Sequence, residues 1–236
     1  MAKIFITGSA DGLGQLAARQ LIREGYEVVL HARGAARGIQ AMKALPGAKD
    51  VLIADLSDME ETKALAEKAN ALGVFDAVIH NAGVYQTGSK LLLHVNTLAP
   101  YVLTGLMAKP KRLIYLSSGM HLSGHAQWTD SPSYSDTKLY VLMFAKALAR
   151  KWPEVHANAV DPGWVPTRMG GAGAPDNLEQ GYQTQAWLAV SDDPGAMVSG
   201  QYFHHGKPAR YNPAADDAGM QDKLLTGCAH LTGVCL

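Results

Sequence analysis

Short apolar runs that alternate with helical patterns constrain the fold of this chain more than any other feature. The runs are continuous rather than alternating, as burial on both faces of a parallel sheet requires. They occupy residues 4–6, 27–30, 51–54, 75–79, 112–116 and 155–160. Helical patterns fill the intervals, and one of them opens with Ser57-Asp58-Met59-Glu60, which has the form of a capping box. We therefore predict an α/β fold with a doubly wound, mainly parallel seven-stranded sheet and helices on both faces.

The size and charge of the chain indicate one domain that does not bind nucleic acid. A chain of 236 residues with 47% hydrophobic content can bury one large core. It shows no repeat or linker, so we predict a single domain over residues 1–236. Its 21 basic and 21 acidic side chains balance, which argues against a nucleic acid or an anionic membrane as partner.

Targeting signals and cysteines point to a cytoplasmic protein. A strand begins almost at Met1, which leaves no room for a signal peptide, and no apolar run reaches membrane-spanning length. Cys228 and Cys235 could pair, but they match no disulfide framework or zinc-ligand spacing, which favours reduced thiols.

A glycine-rich loop, Thr7-Gly8-Ser9-Ala10-Asp11-Gly12-Leu13-Gly14, joins the first strand to the first helix. Glycines permit a tight turn and the close approach of a pyrophosphate, and a helix N-terminus offers free N–H groups. Such a loop alone is also compatible with an ordinary turn. Its place after the first strand and before a helix favours dinucleotide binding.

Tyr134 and Lys138 are one helical turn apart and lie on the same face of a predicted helix. We expect the ammonium to favour the phenolate and to lower the tyrosine pKa from about 10. A tyrosine of this kind can exchange protons near neutral pH. With only two fixed positions, the pair taken alone is better explained as a chance arrangement on the surface.

Further motifs follow the strands in a fixed order: Asn81-Ala82-Gly83, Ser117-Ser118, Tyr134-x-x-x-Lys138 and Pro162-Gly163 come after the glycine loop. In this order they resemble the short-chain dehydrogenase/reductase family in its single-domain form, over residues 1 to about 205. Segments 117–121, 161–167 and 199–203 resemble its retinol-dehydrogenase-like branch.

The resemblance implies four catalytic residues. Tyr134 would be the general acid or base, and Lys138 would keep its pKa low and bind the nicotinamide ribose. Ser118 would polarise the substrate oxygen, although Ser117 is adjacent. Asn96 would hold a water in the proton relay, with a locally bonded helix asparagine as the alternative. The hydride belongs to the cofactor.

The residues at the end of the second strand bear on the choice between NAD and NADP(H). The other cofactor-binding residues are those that the family resemblance implies. No acidic residue stands there to bind a ribose 2′-hydroxyl, and Arg33, with Arg37 nearby, could pair with a 2′-phosphate. A solvated loop arginine is the alternative, and Asp11 departs from the basic residue of many NADP-preferring relatives. We favour NADP(H) over NAD. The implied cofactor-binding residues are Gly8, Ser9, Asp11, Gly12, Leu13, Gly14, Arg33, Asp55, Leu56, Asn81, Ala82, Gly83, Tyr134, Lys138, Pro162, Gly163, Val165 and Thr167, with Asp55 at the adenine and Thr167 at the carboxamide.

Other departures concern assembly and metals. His80 replaces the usual first asparagine of its motif, and segment 84–93 is short for the family. This puts the usual homodimer or homotetramer interface in question. The tail, about residues 206–236, contains a helix around 214–225 that either covers the sheet edge or contacts a partner subunit. The histidines at 121, 125, 204 and 205 match no complete metal site, and we predict none.

Substrate identity is the least constrained property. A glycine-rich stretch after the sixth strand predicts a mobile lid over about residues 168–180, with a passive linker as the alternative. Met120, Trp128, Trp164 and Met169 would make the pocket apolar. We expect an NADP(H)-dependent oxidoreductase acting on a carbonyl or alcohol of a small to medium hydrophobic molecule. An NAD-linked alcohol dehydrogenase, a dinucleotide-sensing regulator and a sugar-nucleotide epimerase or dehydratase are the alternatives.

Overall fold

The computed structural model describes residues 1–236 and contains one eight-stranded sheet. The strands are β1 Lys3–Ile6, β2 Glu27–Ala32, β3 Asp50–Ile53, β4 Ala77–His80, β5 Arg112–Leu116, β6 His156–Asp161, β7 Tyr202–His204 and β8 Lys207–Pro208. Their order is β3-β2-β1-β4-β5-β6-β7-β8, with β1 to β7 parallel. The doubly wound α/β fold is confirmed.

The sheet has one strand more than the seven predicted. The two-residue β8 pairs antiparallel with β7. His205 and Gly206 form the connection and both have positive φ, 48° and 77°. Two such residues suit a tight hairpin turn.

Eight α-helices cover the sheet. They are α1 Gly12–Arg23, α2 Ala35–Ala44, α3 Met59–Ala71, α4 Ser89–Leu93, α5 Ala99–Leu106, α6 Tyr134–Lys151, α7 Leu178–Val190 and α8 Ala218–Thr232. A π-helical turn, His94–Leu98, joins α4 to α5, and 3-10 turns span Gly119–Ser123 and Pro213–Asp216. None of the helices combines the length and apolarity needed to cross a bilayer.

The predicted capping box at the start of α3 is wrong. Asp58 is the N-cap, and its side chain accepts hydrogen bonds from the backbone N–H groups of Glu60 and Glu61. The Ser57 hydroxyl donates to Asp55, and Ser57 lies one residue before the cap.

A capping box does open α6. Ser133 accepts from the backbone N–H of Asp136, whose carboxylate accepts in turn from the backbone N–H of Ser133. The exchange satisfies two donors and makes Tyr134 the first residue of the helix.

The two faces of the sheet have separate cores. One lies under α1, α2 and α7, and the other under α3, α5, α6 and α8. Helix α6 is buried on almost all sides, because α8 of the same chain packs against it through residues such as Leu224 and Cys228. The predicted tail helix is thus α8, and it covers α6 rather than the sheet edge. Cys228 is buried, Cys235 is exposed, and both are free.

Candidate active site

The predicted motifs meet at one edge of the sheet. The strand order reverses between β1 and β4, so a crevice opens at the carboxyl ends of these strands. The glycine loop follows β1, the Asn81 motif follows β4, the serine pair follows β5 and the Pro162 motif follows β6.

Close packing fixes the glycine loop against the end of β4. Gly8 has φ +64°, and a Cβ there would lie 2.9 Å from the Cα of Ala82. A Cβ on Gly14 would lie 2.4 Å from Asn81 Nδ2, which donates to the carbonyls of Thr7 and Gly8 at 3.0 and 3.1 Å. A side chain at either glycine would push the loop away from β4.

The loop presents free donors where α1 begins. The backbone N–H groups of Gly12, Leu13 and Gly14 make no hydrogen bond within the chain. They stand at the positive end of a twelve-residue helix. These groups fit the phosphates of a dinucleotide.

His31, at the penultimate position of β2, supports the glycine loop by a hydrogen bond. The sequence did not indicate this role. Its Nδ1 accepts the N–H of Gly8 at 2.9 Å, and its Nε2 lies 3.0 Å from the carbonyl of Ala54. The ring is therefore neutral, with the proton on Nε2. Burial lowers the pKa of His31 from 6.5 to about 4.

Ser9 also faces inward. Its hydroxyl donates to the Ile6 carbonyl and accepts from the backbone N–H of His31, whose carbonyl takes the Ser9 N–H. Ser9 is fully buried and its side chain bonds within the chain, so the contact of Ser9 with the cofactor stays a prediction. Leu56 is also buried in the core, which leaves only its backbone for a cofactor.

The two basic side chains expected near a ribose phosphate lie at the end of β2 and in the first turn of α2. Arg33 is exposed at the end of β2, and Arg37 forms an ion pair with Asp11 at 3.4 Å. The acidic departure in the loop is therefore neutralised within the chain. Partial burial opposes ionisation of Asp55, but hydrogen bonds from Ser57 and the charge of Arg33 lower the pKa of this carboxyl.

The two adjacent serines have different surroundings. Ser117 is buried and its hydroxyl donates to the carbonyl of Lys138 at 2.7 Å. Ser118 caps the following 3-10 turn, accepting from Met120 N, and its hydroxyl lies close enough to the Tyr134 phenol to affect the phenol's pKa. The structure thus brings Ser118, and not Ser117, to Tyr134.

Lys138 is buried beneath the site. Its Nζ donates to the Leu116 carbonyl at 2.8 Å and lies 5.5 Å from the centre of the Tyr134 ring. Burial lowers the pKa of Lys138 to about 8, and the charge of Asp161 opposes this. A Cβ on Gly83 would lie 3.4 Å from Lys138 Nζ, so the absence of a side chain there keeps space above the ammonium.

The predicted lowering of the Tyr134 pKa is wrong for the chain by itself. Burial raises the pKa of Tyr134 to about 12, with Ser118 opposing the change and Tyr85 and Asp161 adding to it. Lys138 does not offset this burial, because its ammonium is directed at the Leu116 carbonyl. Tyr134 is thus held in its protonated form.

Asn96 lies in the π-helical turn, a feature that is frequent at functional sites. Its Oδ1 accepts from Val84 N at 2.8 Å, and its Nδ2 donates to Val84 O and Thr137 Oγ1. These partners are distant in sequence, so Asn96 is not the locally bonded helix asparagine. The water at Asn96 stays a prediction.

Asp161, at the end of β6, is a second residue that the sequence analysis missed. Its Oδ1 accepts the Gly163 N–H at 2.9 Å, and its Oδ2 lies 3.3 Å from His204 Nδ1. Its charge acts on both Lys138 and Tyr134. An acidic residue directly before Pro162-Gly163 is the signal that could have found it.

The segment after β6 is folded into turns. Trp164 donates its backbone N–H to Asp176 and its indole N–H to the carbonyl of Gly170, whose N–H donates to Thr167 Oγ1. Val165 is buried. The lid remains a prediction, since these contacts describe one conformation.

Three of the four predicted pocket residues are exposed on loops that follow strands, and one packs elsewhere. Met120, Trp164 and Met169 are exposed on the loops after β5 and β6. The prediction for Trp128 is wrong: its ring packs 5.8 Å from that of Tyr140 and against Gly227 of α8. Tyr85, which the analysis missed, lies against Tyr134 instead, with ring centres 4.6 Å apart.

The histidines noted in the sequence have other roles. His80 is buried, stacks on Tyr115 and bonds to Thr104. His121 bonds through Nδ1 to the Ser118 carbonyl and through Nε2 to the Asn212 N–H. No three histidine, cysteine or acidic side chains come together as a metal site.

Comparison with known proteins identifies the family. The short chain dehydrogenase family model matches residues 2–177. An uncharacterized oxidoreductase of Emericella nidulans is 45% identical over 99% of this chain and 98% of its own length. Retinol dehydrogenase 13 of Homo sapiens is 27% identical over 98% of this chain and 84% of its own. A solved protein from Mycobacterium paratuberculosis superposes with a TM-score of 0.84 at 24% identity, over 100% of this chain and 94% of that one, which shows the shared fold. The chain belongs to the short-chain dehydrogenase/reductase family and is an NAD(P)-dependent oxidoreductase.

Proposed function

We propose that this enzyme couples NADP(H) to the interconversion of a carbonyl and an alcohol on a small to medium hydrophobic substrate, with Tyr134 as the general acid or base. The observation that carries the proposal is the convergence of Ser118, Tyr134 and Lys138 at the carboxyl ends of β4 to β6. It provides a hydroxyl donor, a proton source and a buried cation at one point.

The chain's own groups fit a dinucleotide phosphate. The free N–H groups of Gly12 to Gly14 would bind the pyrophosphate, and Asp55 would contact the adenine. Lys138 and Thr167 would bind the nicotinamide half. When bound, the cofactor supplies or accepts the hydride.

A protonated Tyr134 fits the step in which a carbonyl is reduced. With a pKa of about 12, Tyr134 is protonated at neutral pH and can donate to a carbonyl oxygen. Ser118 would orient that oxygen. With a pKa of about 8, Lys138 is mostly charged at neutral pH and stabilises negative charge that develops above it. Asn96 would hold the water that resupplies the proton.

The preference for NADP(H) rests on two arginines. Arg33 is exposed at the end of β2 with no acidic residue beside it in β2, and Arg37 lies close enough to pair with Asp11 at the glycine loop. Guanidinium groups bind phosphate in a fork geometry. A ribose 2′-phosphate between them would have two cations.

Turnover of a carbonyl panel with NADPH and NADH tests the proposal. We expect NADPH oxidation by the wild type and a loss of about 10²–10⁴ in kcat for Tyr134→Phe. Tyr140→Phe is the matched control, because it removes a hydroxyl of the same helix that bonds to the backbone of the loop before α6, including Gln127 O. If the chain binds the dinucleotide tightly but turns over no substrate, and Tyr134→Phe does not change that binding, the protein would instead be a dinucleotide sensor.

A further inference from the structure

Large apolar side chains are exposed on the loops that follow β4, β5 and β6. Tyr85 is 38% exposed, Met120 44%, Met169 50% and Trp164 61%. These strands are neighbours in the sheet, so their loops lie side by side around Tyr134. Grouped apolar exposure of this kind is typical of a ligand-binding surface.

Tyr85 is held in place at the reacting centre. Its ring centre lies 4.6 Å from that of Tyr134 with an interplanar angle of 63°, an edge arrangement. The preceding residue, Val84, is fixed through both backbone groups by Asn96. The following residue, Gln86, has φ +53°, which is uncommon for a residue other than glycine. The chain thus keeps an uncommon backbone turn beside Tyr85, and the aromatic ring stays at the mouth of the site.

Trp164 adds a second aromatic surface with no free polar group. Its indole N–H donates to the Gly170 carbonyl at 2.8 Å and its backbone N–H donates to Asp176. Both donors are therefore engaged within the loop. What the side chain offers a ligand is its apolar face.

We propose that Tyr85 determines specificity for aryl carbonyl compounds, in which an aromatic ring is bonded directly to the reacting carbonyl. The inference rests on the proposed function. A carbonyl oxygen at the Tyr134 hydroxyl places the group bonded to its carbon within reach of the Tyr85 ring. An aromatic group gains a ring–ring contact beyond its burial, whereas a saturated ring of similar size gains burial alone.

Paired substrates separate this contact from burial and from intrinsic reactivity. Benzaldehyde is compared with cyclohexanecarbaldehyde, and acetophenone with cyclohexyl methyl ketone, each with NADPH. The measured quantity is the loss of kcat/KM in a variant for the aryl member divided by the loss for its saturated partner. Intrinsic reactivity cancels, because the same substrate is used with both enzymes.

Tyr85→Leu removes the ring, and Tyr85→Phe keeps the ring but removes the hydroxyl. We expect Tyr85→Leu to lower kcat/KM for the aryl member about two- to twelvefold more than for its partner, and Tyr85→Phe to leave the ratio near one. Equal losses in Tyr85→Leu would overturn the role of Tyr85, while the proposed reaction would stand. No turnover of the aryl members by the wild type would overturn the inference alone, whereas turnover unaffected by Tyr134→Phe would overturn the proposed reaction and the inference with it. Unchanged dinucleotide affinity in both variants shows that they are folded.

Discussion

The neutral His31 predicts that the fold loses stability in mild acid. The pKa of His31 falls from 6.5 to about 4 on folding because of burial, with only the Ala54 carbonyl and Asp55 opposing the change. A group with a lowered pKa in the folded state leaves the unfolded chain with more bound protons. Its stabilisation is therefore complete above pH 6.5 and is lost as the pH falls from there toward 4. Protonation would also put a hydrogen on Nδ1, facing the N–H of Gly8.

The magnitude follows from the two pKa values. As the pH falls from about 7.5 to about 5, the shifted pKa of His31 lowers the free energy of unfolding by about 2 kcal/mol, at 1.36 kcal/mol per pKa unit. Burial also lowers the pKa of His80, to about 3. The shifted pKa of His80 lowers the free energy of unfolding by about a further 2 kcal/mol over the same pH interval. The wild type should thus lose about 4 kcal/mol, a large part of a typical stability.

Urea unfolding at several pH values, followed by circular dichroism, measures this loss. In His31→Asn the Oδ1 atom can still accept from Gly8, but no titration remains, so the variant should lose about 2 kcal/mol less than the wild type over this interval. His230→Asn is the control, since His230 is exposed on α8. If His31→Asn shows the same pH dependence as the wild type, the ring is not held neutral as described.

Three further predictions concern the cofactor loop and the assembly. Asp11→Ser removes the partner of Arg37 and should tighten NADPH binding about two- to fivefold while leaving NADH unchanged; calorimetry checks this, and an equal change for both would contradict it. Gly14→Ala would place a Cβ 2.4 Å from Asn81 Nδ2; it should lower stability by about 1–3 kcal/mol and weaken dinucleotide binding, whereas Gly88→Ala, with open space around it, should leave dinucleotide binding unchanged in a parallel assay. The chain should scatter light as a 25.2 kDa monomer, and deletion of α8 should cause association; a stable wild-type dimer would refute the monomer.

Local chemistry explains why the fold and the order of the motifs could be predicted. A strand buried on both faces needs a continuous apolar run, and this pattern is visible without knowledge of its neighbours. Gly8 and Gly14 are required by contacts with β4 that a side chain would block. The choice of Ser118 over Ser117 came from resemblance, and the structure supplies its physical reason, since Ser117 is turned inward to Lys138.

The residues that escaped prediction act across long sequence separations. His31 lies 23 residues from Gly8, and in the sequence it is only a polar interruption in an apolar strand. Asp161 and Tyr85 reach Tyr134 from the ends of other strands. The local spacing of Tyr134 and Lys138 predicts a lowered phenol pKa, but burial by these distant elements decides its direction. The i, i+4 spacing of the two residues does not show how deeply other parts of the chain bury them.

Trp128 shows a different limit. It follows β5 in the chain, as Met120 does, but its ring packs against Tyr140 of α6 and Gly227 of α8. There its ring occupies the place of the missing side chain at Gly227. Position after a strand therefore predicts proximity to the site only for residues near the strand end, such as Met120.

The C-terminal segment links the assembly of the chain to the geometry of the site. Helix α8 buries the face of α6 that would otherwise be open to a partner. Just before it, the backbone N–H of Asn212 donates to His121 Nε2, while His121 Nδ1 bonds the carbonyl of Ser118. The neutral, buried His121 thus connects the tail to Ser118, the serine proposed to act on the substrate, and burial lowers the pKa of His121. Because one segment both closes α6 and supports Ser118, loss of the tail should disturb the active site as well as expose the core. A partner subunit could cover α6 in place of α8, but it would not restore the support of Ser118.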